Sequence, residues 1–172
     1  NLDGLFNLNV LVDFQNGNVR AEWVAVLERL LASLGRDPVL VQALLDWLDP
    51  DDLPRPGGAE SEQYAAAGLA VRPANGPLLD ARELGLVMGF DQDLLNGNDQ
   101  HPGLLSLADI FGQDKINVNT APGLVLRALS EQMSETVVQE ILELRAGGGL
   151  ANLEDLRQAA GMSDSLFNQI SP

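Results

Sequence analysis

The sequence predicts an α+β fold, a short extended N-terminal segment followed by a mainly helical body. Three observations carry this expectation. Residues 5–14, from Leu5 to Phe14, alternate imperfectly and end at Asn16-Gly17-Asn18, the pattern of a strand or extended arm closed by a turn. The hydrophobic period then changes from two to 3.6. The last third of the chain holds several short apolar runs, each opened by a capping residue and stopped by glycine, which together read as a compact all-α unit.

The elements follow in order. Trp23, Val26, Leu27, Leu30, Leu31 and Leu34 line one face of a helix stopped by Gly35. Asp37-Pro38 opens a second helix through Leu40, Leu44, Trp47 and Leu48, and Pro50 ends it. Gln63 to Ala67 form a short helix before Gly68. Asp80 and Glu83 stand at capping-box spacing for a helix over Ala81 to Met88, with Gly89 as its stop. Residues 91–115, apart from Leu104 to Phe111, are rich in Asp, Asn, Gly and Gln and read as a polar connector or an excursion from the core. Its Asp91, Asp93 and Asp99 are poor cation ligands as a set, because groups such as Leu95 fall at expected ligand positions. Thr120 is the expected cap of a helix over Ala121 to Leu129, with Pro122 in its first turn. Ser134 caps a helix whose buried face is Val137, Val138, Ile141, Leu142 and Leu144, with Met133 and Val138 at staple positions. Gly147-Gly148-Gly149 breaks it. Asn152 opens a helix from Leu153 to Ala160, Gly161 stops that one, and Ser163 begins the last.

Composition removes several classes of function. The formal net charge is −15 and Lys115 is the only lysine, which opposes binding to phosphate backbones and to anionic lipid head groups. There is no cysteine, hence no disulfide and no thiolate metal site. No apolar run approaches the roughly 20 residues of a membrane helix. The chain opens at Asn1 without methionine and without a signal-peptide pattern, which reads as a fragment or processed form. His101, the one histidine, lies in the polar connector and reads as a surface residue. No serine sits in a nucleophile-elbow frame, so no enzymatic chemistry is expected. Trp23 and Trp47 are expected in the core, and Asn117 and Asn119 are expected to tie down a turn.

One segment stands out for its charge. Asp46, Asp49, Asp51, Asp52, Glu60 and Glu62 fall within seventeen residues, with Arg55 as the only cation among them. Anions crowded on an irregular loop repel one another unless a positive group sits among them. A hard cation with oxygen ligands fills that role, and calcium suits a flexible loop better than magnesium. With Asp49 as the first position of a twelve-residue loop, Asp51 and Glu60 fall at EF-hand ligand positions three and twelve. Pro54 stands where that motif needs glycine, so the loop is no EF-hand. A calcium loop of another shape and a solvated acidic loop both fit the residues.

The segment Ile116 to Pro122, followed by a helix, a turn and Ile141 to Arg145, resembles a helix-hairpin-helix repeat. In the nucleic-acid-binding members of that class a glycine-rich turn holds a phosphate. Here the turn is Ser130 to Glu135, without glycine and with two carboxylates, so a nucleic-acid-binding module is only the alternative reading. The chain as a whole resembles the K-type minor pseudopilin family of the bacterial type II (general) secretion pathway. The resemblance lies at Gly4 to Asn9, Leu45 to Asp51, Gly58-Ala59-Glu60 with Tyr64, Arg72 to Leu78, Glu83-Leu84 with Val87 to Phe90, and Ile116 to Pro122.

That resemblance implies a pilin-like α/β scaffold, partial here, with a large inserted all-α domain containing helix-hairpin-helix or SAM-like units. Residues 1–19 are then the scaffold segment and 20–172 the helical insertion, of which 116–172 is the helix-hairpin-helix-like part. It implies a structural protein at the tip of the periplasmic pseudopilus, assembled with the I- and J-type minor pseudopilins and further pseudopilins to prime or cap the fibre. Membrane contact is expected only through an N-terminal helix absent from this chain, which makes the chain a periplasmic domain of an inner-membrane-anchored protein. Returning strands of the scaffold are expected after Pro172. The resemblance also implies Ca²⁺ in the acidic loop. Asp49, Asp51 and Glu60 are the foremost expected ligands, with Asp46 and Glu62 behind them.

Overall fold

A computed structural model describes residues 2–170, so Asn1, Ser171 and Pro172 at the ends of the two expected segments lie outside the described residues. Phe6–Asn7 (β1) and Val12–Asp13 (β2) are two-residue strands on either side of a 3-10 turn over Leu8–Leu11. The single extended arm expected over residues 5–14 is therefore interrupted. The cause is Asn7, whose side-chain oxygen accepts from the Asn9 amide at 3.0 Å and offers the backbone a turn in place of a strand. β2 pairs antiparallel with Asn18–Val19 (β3) across the expected turn, where Gly17 takes a φ of +72°. β1 pairs in parallel with Ala108–Asp109 (β4), Phe6 opposite Ala108.

The helical body follows the apolar spacing. Ala21–Ser33 (α1) buries Val26, Leu27, Leu30 and Leu31 and stops before Gly35 at φ +68°. Leu40–Leu48 (α2) is buried from Ala43 to Leu48. It starts later than the expected Asp37-Pro38 entry: Val39 holds the capping position without a side-chain cap, and the Asp37 carboxylate accepts from the Val39 amide at 2.9 Å in the turn before it. Ser61–Ala66 (α3) carries the buried Tyr64. The Asp80–Glu83 capping box forms, with Glu83 accepting from the Asp80 amide at 2.8 Å. It opens a 3-10 helix over Ala81–Leu86, shorter and tighter than the α-helix expected to Met88. Only Leu84 is buried in it, so no apolar stripe rewards further α-helical turns.

Residues 91–115 depart most from expectation. Asp91 accepts from the Leu94 amide at 2.7 Å and caps Gln92–Asn96 (α4), which buries Leu94 and Leu95. A 3-10 turn over Leu104–Ser106 and β4 follow, and Leu104, Leu107 and Ile110 are all buried. This stretch is a wall of the core, not an excursion from it.

In the last third, Gly123–Ala128 (α5) starts after Pro122, whose ψ of 148° keeps it extended. Thr120 is accordingly no cap. Its hydroxyl lies 3.4 Å from the Asn117 carbonyl instead. Glu135–Ala146 (α6) is capped as expected by Ser134, which accepts from the Val137 amide at 3.2 Å. Leu153–Gln158 is a 3-10 helix, not an α-helix, and Asp164–Ile170 (α7) closes the body with Leu166 and Phe167 buried. Asn119 ties its turn down as expected: its side chain donates to the Leu150 carbonyl at 2.9 Å and accepts from the Leu150 amide at 2.7 Å.

One apolar core runs from Phe6 to Phe167 and joins all these parts. Trp47 is buried in it and Trp23 packs on its edge, 5.8 Å ring to ring from Phe6. Arg29 of α1 donates to the Ala128 and Leu129 carbonyls at 2.6 and 3.1 Å, placing a cation on the electronegative end of α5. No helix among the described residues is long and apolar enough to cross a membrane.

Candidate functional site

The acidic segment divides sharply by burial. Asp46, on the last turn of α2, is fully buried. Asp49, just past its end, and Glu60, just before α3, keep 2% and 1% exposure. Asp51, Asp52 and Glu62 are exposed. Of the five expected ligands, the fold thus gathers Asp46, Asp49 and Glu60 in its interior and leaves Asp51 and Glu62 facing solvent. Helix geometry accounts for the first part. Asp46 stands next to Leu45 and Trp47 on a helix that is buried on nearly every face, so its carboxylate has nowhere to go but inward.

Arg55 sits at the centre. Its Nη1 donates to Asp46 Oδ1 at 2.8 Å and to Asp49 Oδ2, and its backbone amide donates to the Asp46 carboxylate at 3.1 Å. Burial lowers the pKa of Arg55, but the hydrogen bonds to Asp49 and Asp46 outweigh it and the net shift is upward. Glu60 has no such partner. Gln63 Oε1 accepts from the Glu60 amide at 2.9 Å, half of a capping box. In the other half of that box the Glu60 carboxylate faces the Gln63 backbone amide, although neither of its buried oxygens reaches full hydrogen-bond geometry. Asp49 Oδ1 is in the same condition. Burial, then the charges of Asp46 and Asp49, push the Glu60 carboxyl up to about 7. Burial likewise raises Asp49 against the pull of Arg55.

Three buried carboxylate oxygens without partners are an unusual cost, because a buried acceptor is normally satisfied. The chemistry of this acceptor set suits a hard, oxygen-preferring divalent cation. As they stand, no three acidic side chains among the described residues converge tightly enough to enclose one, and Arg55 occupies two of the carboxylates. The loop is braced from outside by Asn75, held at φ +48°, whose side-chain amide donates to the Asp51 carbonyl at 3.1 Å. Neither Arg55 nor Asn75 was among the expected site residues. Arg55 did carry a signal, as the lone cation in an acidic run. Asn75 carried none, since its contact depends on a turn far along the chain. Elsewhere, a surface groove of about 510 Å³ between Phe14, Arg20, Pro77 and Phe111 is lined by the Arg20–Asp114 ion pair, at 3.3 Å, and by Asp13. His101 is half-buried against Gly35.

These features define a class: a mainly helical domain on one core, with its interior charge gathered in a single loop. Comparison with known proteins narrows the class to a family. Models of type II secretion system protein K match residues 4–97 and 116–171, and the chain belongs to that family. It is 34% identical over 158 residues to type II secretion system protein K of Pseudomonas aeruginosa, covering 88% of this chain and 44% of that protein. It is 33% identical over 168 residues to the Pectobacterium carotovorum protein, covering 89% of this chain and 49% of that one. The chain thus spans less than half the length of these curated relatives. The fold is similar to a chain in the crystal structure of the GspK-GspI-GspJ complex from enterotoxigenic Escherichia coli. The TM-score is 0.70 at 22% identity, over 97% of this chain and 60% of that one.

Proposed function

We propose that this chain is the helical portion of a structural minor pseudopilin at the tip of the periplasmic type II secretion pseudopilus, without catalytic activity of its own. In this reading it assembles with I- and J-type minor pseudopilins and primes or caps the fibre, on the periplasmic side of an inner-membrane-anchored protein. The observation that carries the proposal is membership of the protein K family across both halves of the chain. The likeness in fold to a chain solved together with GspI and GspJ agrees with it. The division into a scaffold segment, 1–19, and a helical body, 20–172, is part of the same proposal, as is a pilin-like scaffold built on β1. The helix pair α5 and α6 with the residues to 170 is the helix-hairpin-helix-like unit. Nucleic acid is not favoured as a partner, because the turn at residues 130–135 exposes Glu131 and Glu135.

The acidic loop is proposed to take Ca²⁺, with Asp46, Asp49 and Glu60 as the residues that hold it. The buried, partnerless oxygens of Asp49 and Glu60 support this. The ion supplies positive charge and coordination, and its binding free energy becomes stability of residues 49–62. Asp51 and Glu62, being exposed, are the weaker candidates. The test is co-purification of this chain with the soluble domains of I- and J-type pseudopilins, in calcium and in chelator. A complex that forms in calcium and weakens in chelator is expected. Separate elution in both conditions would refute the assembly reading.

A further inference from the structure

We propose that Asn75-Gly76 is a deamidation site, and that conversion there releases the outside brace of the acidic loop. In deamidation the backbone nitrogen of the following residue attacks the asparagine side-chain carbon. Asn-Gly steps are the susceptible ones, because glycine has no side chain to obstruct that nitrogen. The chain has three: Asn16-Gly17, Asn75-Gly76 and Asn96-Gly97. In two of them the nucleophile is already committed. The Gly17 amide donates to the Asp13 carbonyl at 2.7 Å, and the Gly97 amide to the Asp93 carbonyl at 2.9 Å. The Gly76 amide donates to no group among the described residues. Space separates the steps too. A Cβ on Gly97 would overlap the backbone of His101 to Gly103, whereas on Gly76 it would meet only the Ala74 carbonyl, at 3.8 Å. The side chains add a third difference. Asn16 is held at both ends, donating to Asp13 at 2.8 Å and accepting from the Asn18 amide at 2.9 Å. Asn75 is held at one end: its Nδ2 donates to the Asp51 carbonyl at 3.1 Å, while its Oδ1 has no partner among the described residues. Its amide plane is therefore free to turn toward the Gly76 nitrogen.

The reaction needs only water. The Gly76 nitrogen gives up its proton and bonds to Cγ of Asn75, the Cγ–Nδ2 bond breaks, and Nδ2 takes a proton and leaves as ammonia. Water then opens the resulting succinimide to aspartate or isoaspartate. With either product a carboxylate stands in place of the Nδ2 donor. It meets the Asp51 carbonyl, which is an acceptor, and the Asp52 carboxylate, whose Oδ1 lay 3.4 Å from the lost donor. One hydrogen bond is lost and a like charge is added at the same point. The effect falls on the stretch that Asn75 braces. There the Leu53 amide donates to Asp51 Oδ1 at 2.8 Å and the Arg55 amide to the Asp46 carboxylate at 3.1 Å.

The experiment ages the complete chain at mildly alkaline pH, follows the three Asn-Gly steps by peptide mass mapping, and separates the more acidic product by anion exchange. Asn75 is expected to convert on the order of tenfold faster than Asn16 or Asn96, the factor set by one backbone hydrogen bond that must open first. Gly76→Ala, which the space at that position admits, is expected to suppress conversion at Asn75 alone. Conversion of the three at equal rates, or first at Asn16 or Asn96, overturns the assignment. Hydrogen exchange of the Leu53 and Arg55 amides then tests the brace, in the aged product and in Asn75→Asp. Faster exchange than in the parent is expected in both. If Asn75→Asp does not fold, the aged product decides. Exchange as slow as in the parent overturns the release of the loop.

Discussion

Among the regions of this molecule that pair aspartate with arginine, two behave oppositely. At the surface, the Arg82 guanidinium donates hydrogen bonds to the Asp80 carboxylate and, with the Arg82 backbone amide, lowers that carboxyl to about 2. In the acidic loop, Arg55 bridges two aspartates, yet Asp49 is raised and Glu60 reaches about 7. The difference is water. Where solvent screens and solvates both charges, one arginine comfortably satisfies one carboxylate, and the pair contributes little to folding. Where solvent is excluded, three carboxylates against one guanidinium leave net negative charge in a medium that penalises it. The buried region is therefore the one in which a change of charge alters the stability of the fold.

The largest effect is expected at Asp46. Asp46→Ala leaves the guanidinium of Arg55 with Asp49 alone and its amide without an acceptor. Removing one member of a buried ion pair costs about 3 kcal/mol. Denaturant unfolding in chelator should show that loss in the midpoint with little change in slope. A loss as small as that of a surface pair would mean that water reaches this loop and that the contrast between the two regions fails.

Glu60 sharpens the contrast through pH. Its folded-state pKa lies above the unfolded value of 4.5, at about 7. The folded chain then binds more protons than the unfolded chain between those values, so stability from this group is present below pH 4.5 and is lost as pH rises through 7. In chelator, the parent should lose on the order of 2 kcal/mol relative to Glu60→Gln between pH 5 and pH 8. Calcium at saturation should flatten that slope, because a bound cation favours the carboxylate. Parallel stability profiles for parent and variant in chelator would show that Glu60 ionises normally.

Much of this was legible in the residue pattern, and what was not has physical causes. Helices α1, α2 and α6 declared themselves because their buried residues recur at helical spacing with caps or glycine stops nearby. Residues 91–115 did not. Leu94, Leu95, Leu104, Leu107 and Ile110 follow no single period, and their burial depends on β4 meeting β1 from a hundred residues away. A capping box at Asp80 and a capping residue at Asn152 announced where helices begin at Ala81 and Leu153, but 3-10 and α-helix share the same entry chemistry, so the type of helix went unread. At the loop, spacing singled out Asp49, Asp51 and Glu60, with Asp46 and Glu62 behind them. Sorting buried from exposed needed the packing of α2 and α3. Arg55 was visible as a lone charge, but the carboxylates it bridges were not.

The smallest effect belongs to the exposed pair, and it is as informative as the largest. Arg82 keeps 90% exposure in its side chain. It pairs with Asp80 alone, and the bonds of Asp80 to the Arg82 amide and of Glu83 to the Asp80 amide do not depend on the Arg82 side chain. Arg82→Ala should therefore leave the unfolding midpoint within measurement scatter while returning the Asp80 carboxyl toward its ordinary value, which NMR titration of that side chain reads directly. A pKa that moves without stability moving is the signature of a solvated pair. If the midpoint fell as well, Asp80 and Arg82 would belong with the buried loop, and burial would no longer explain why the two regions differ.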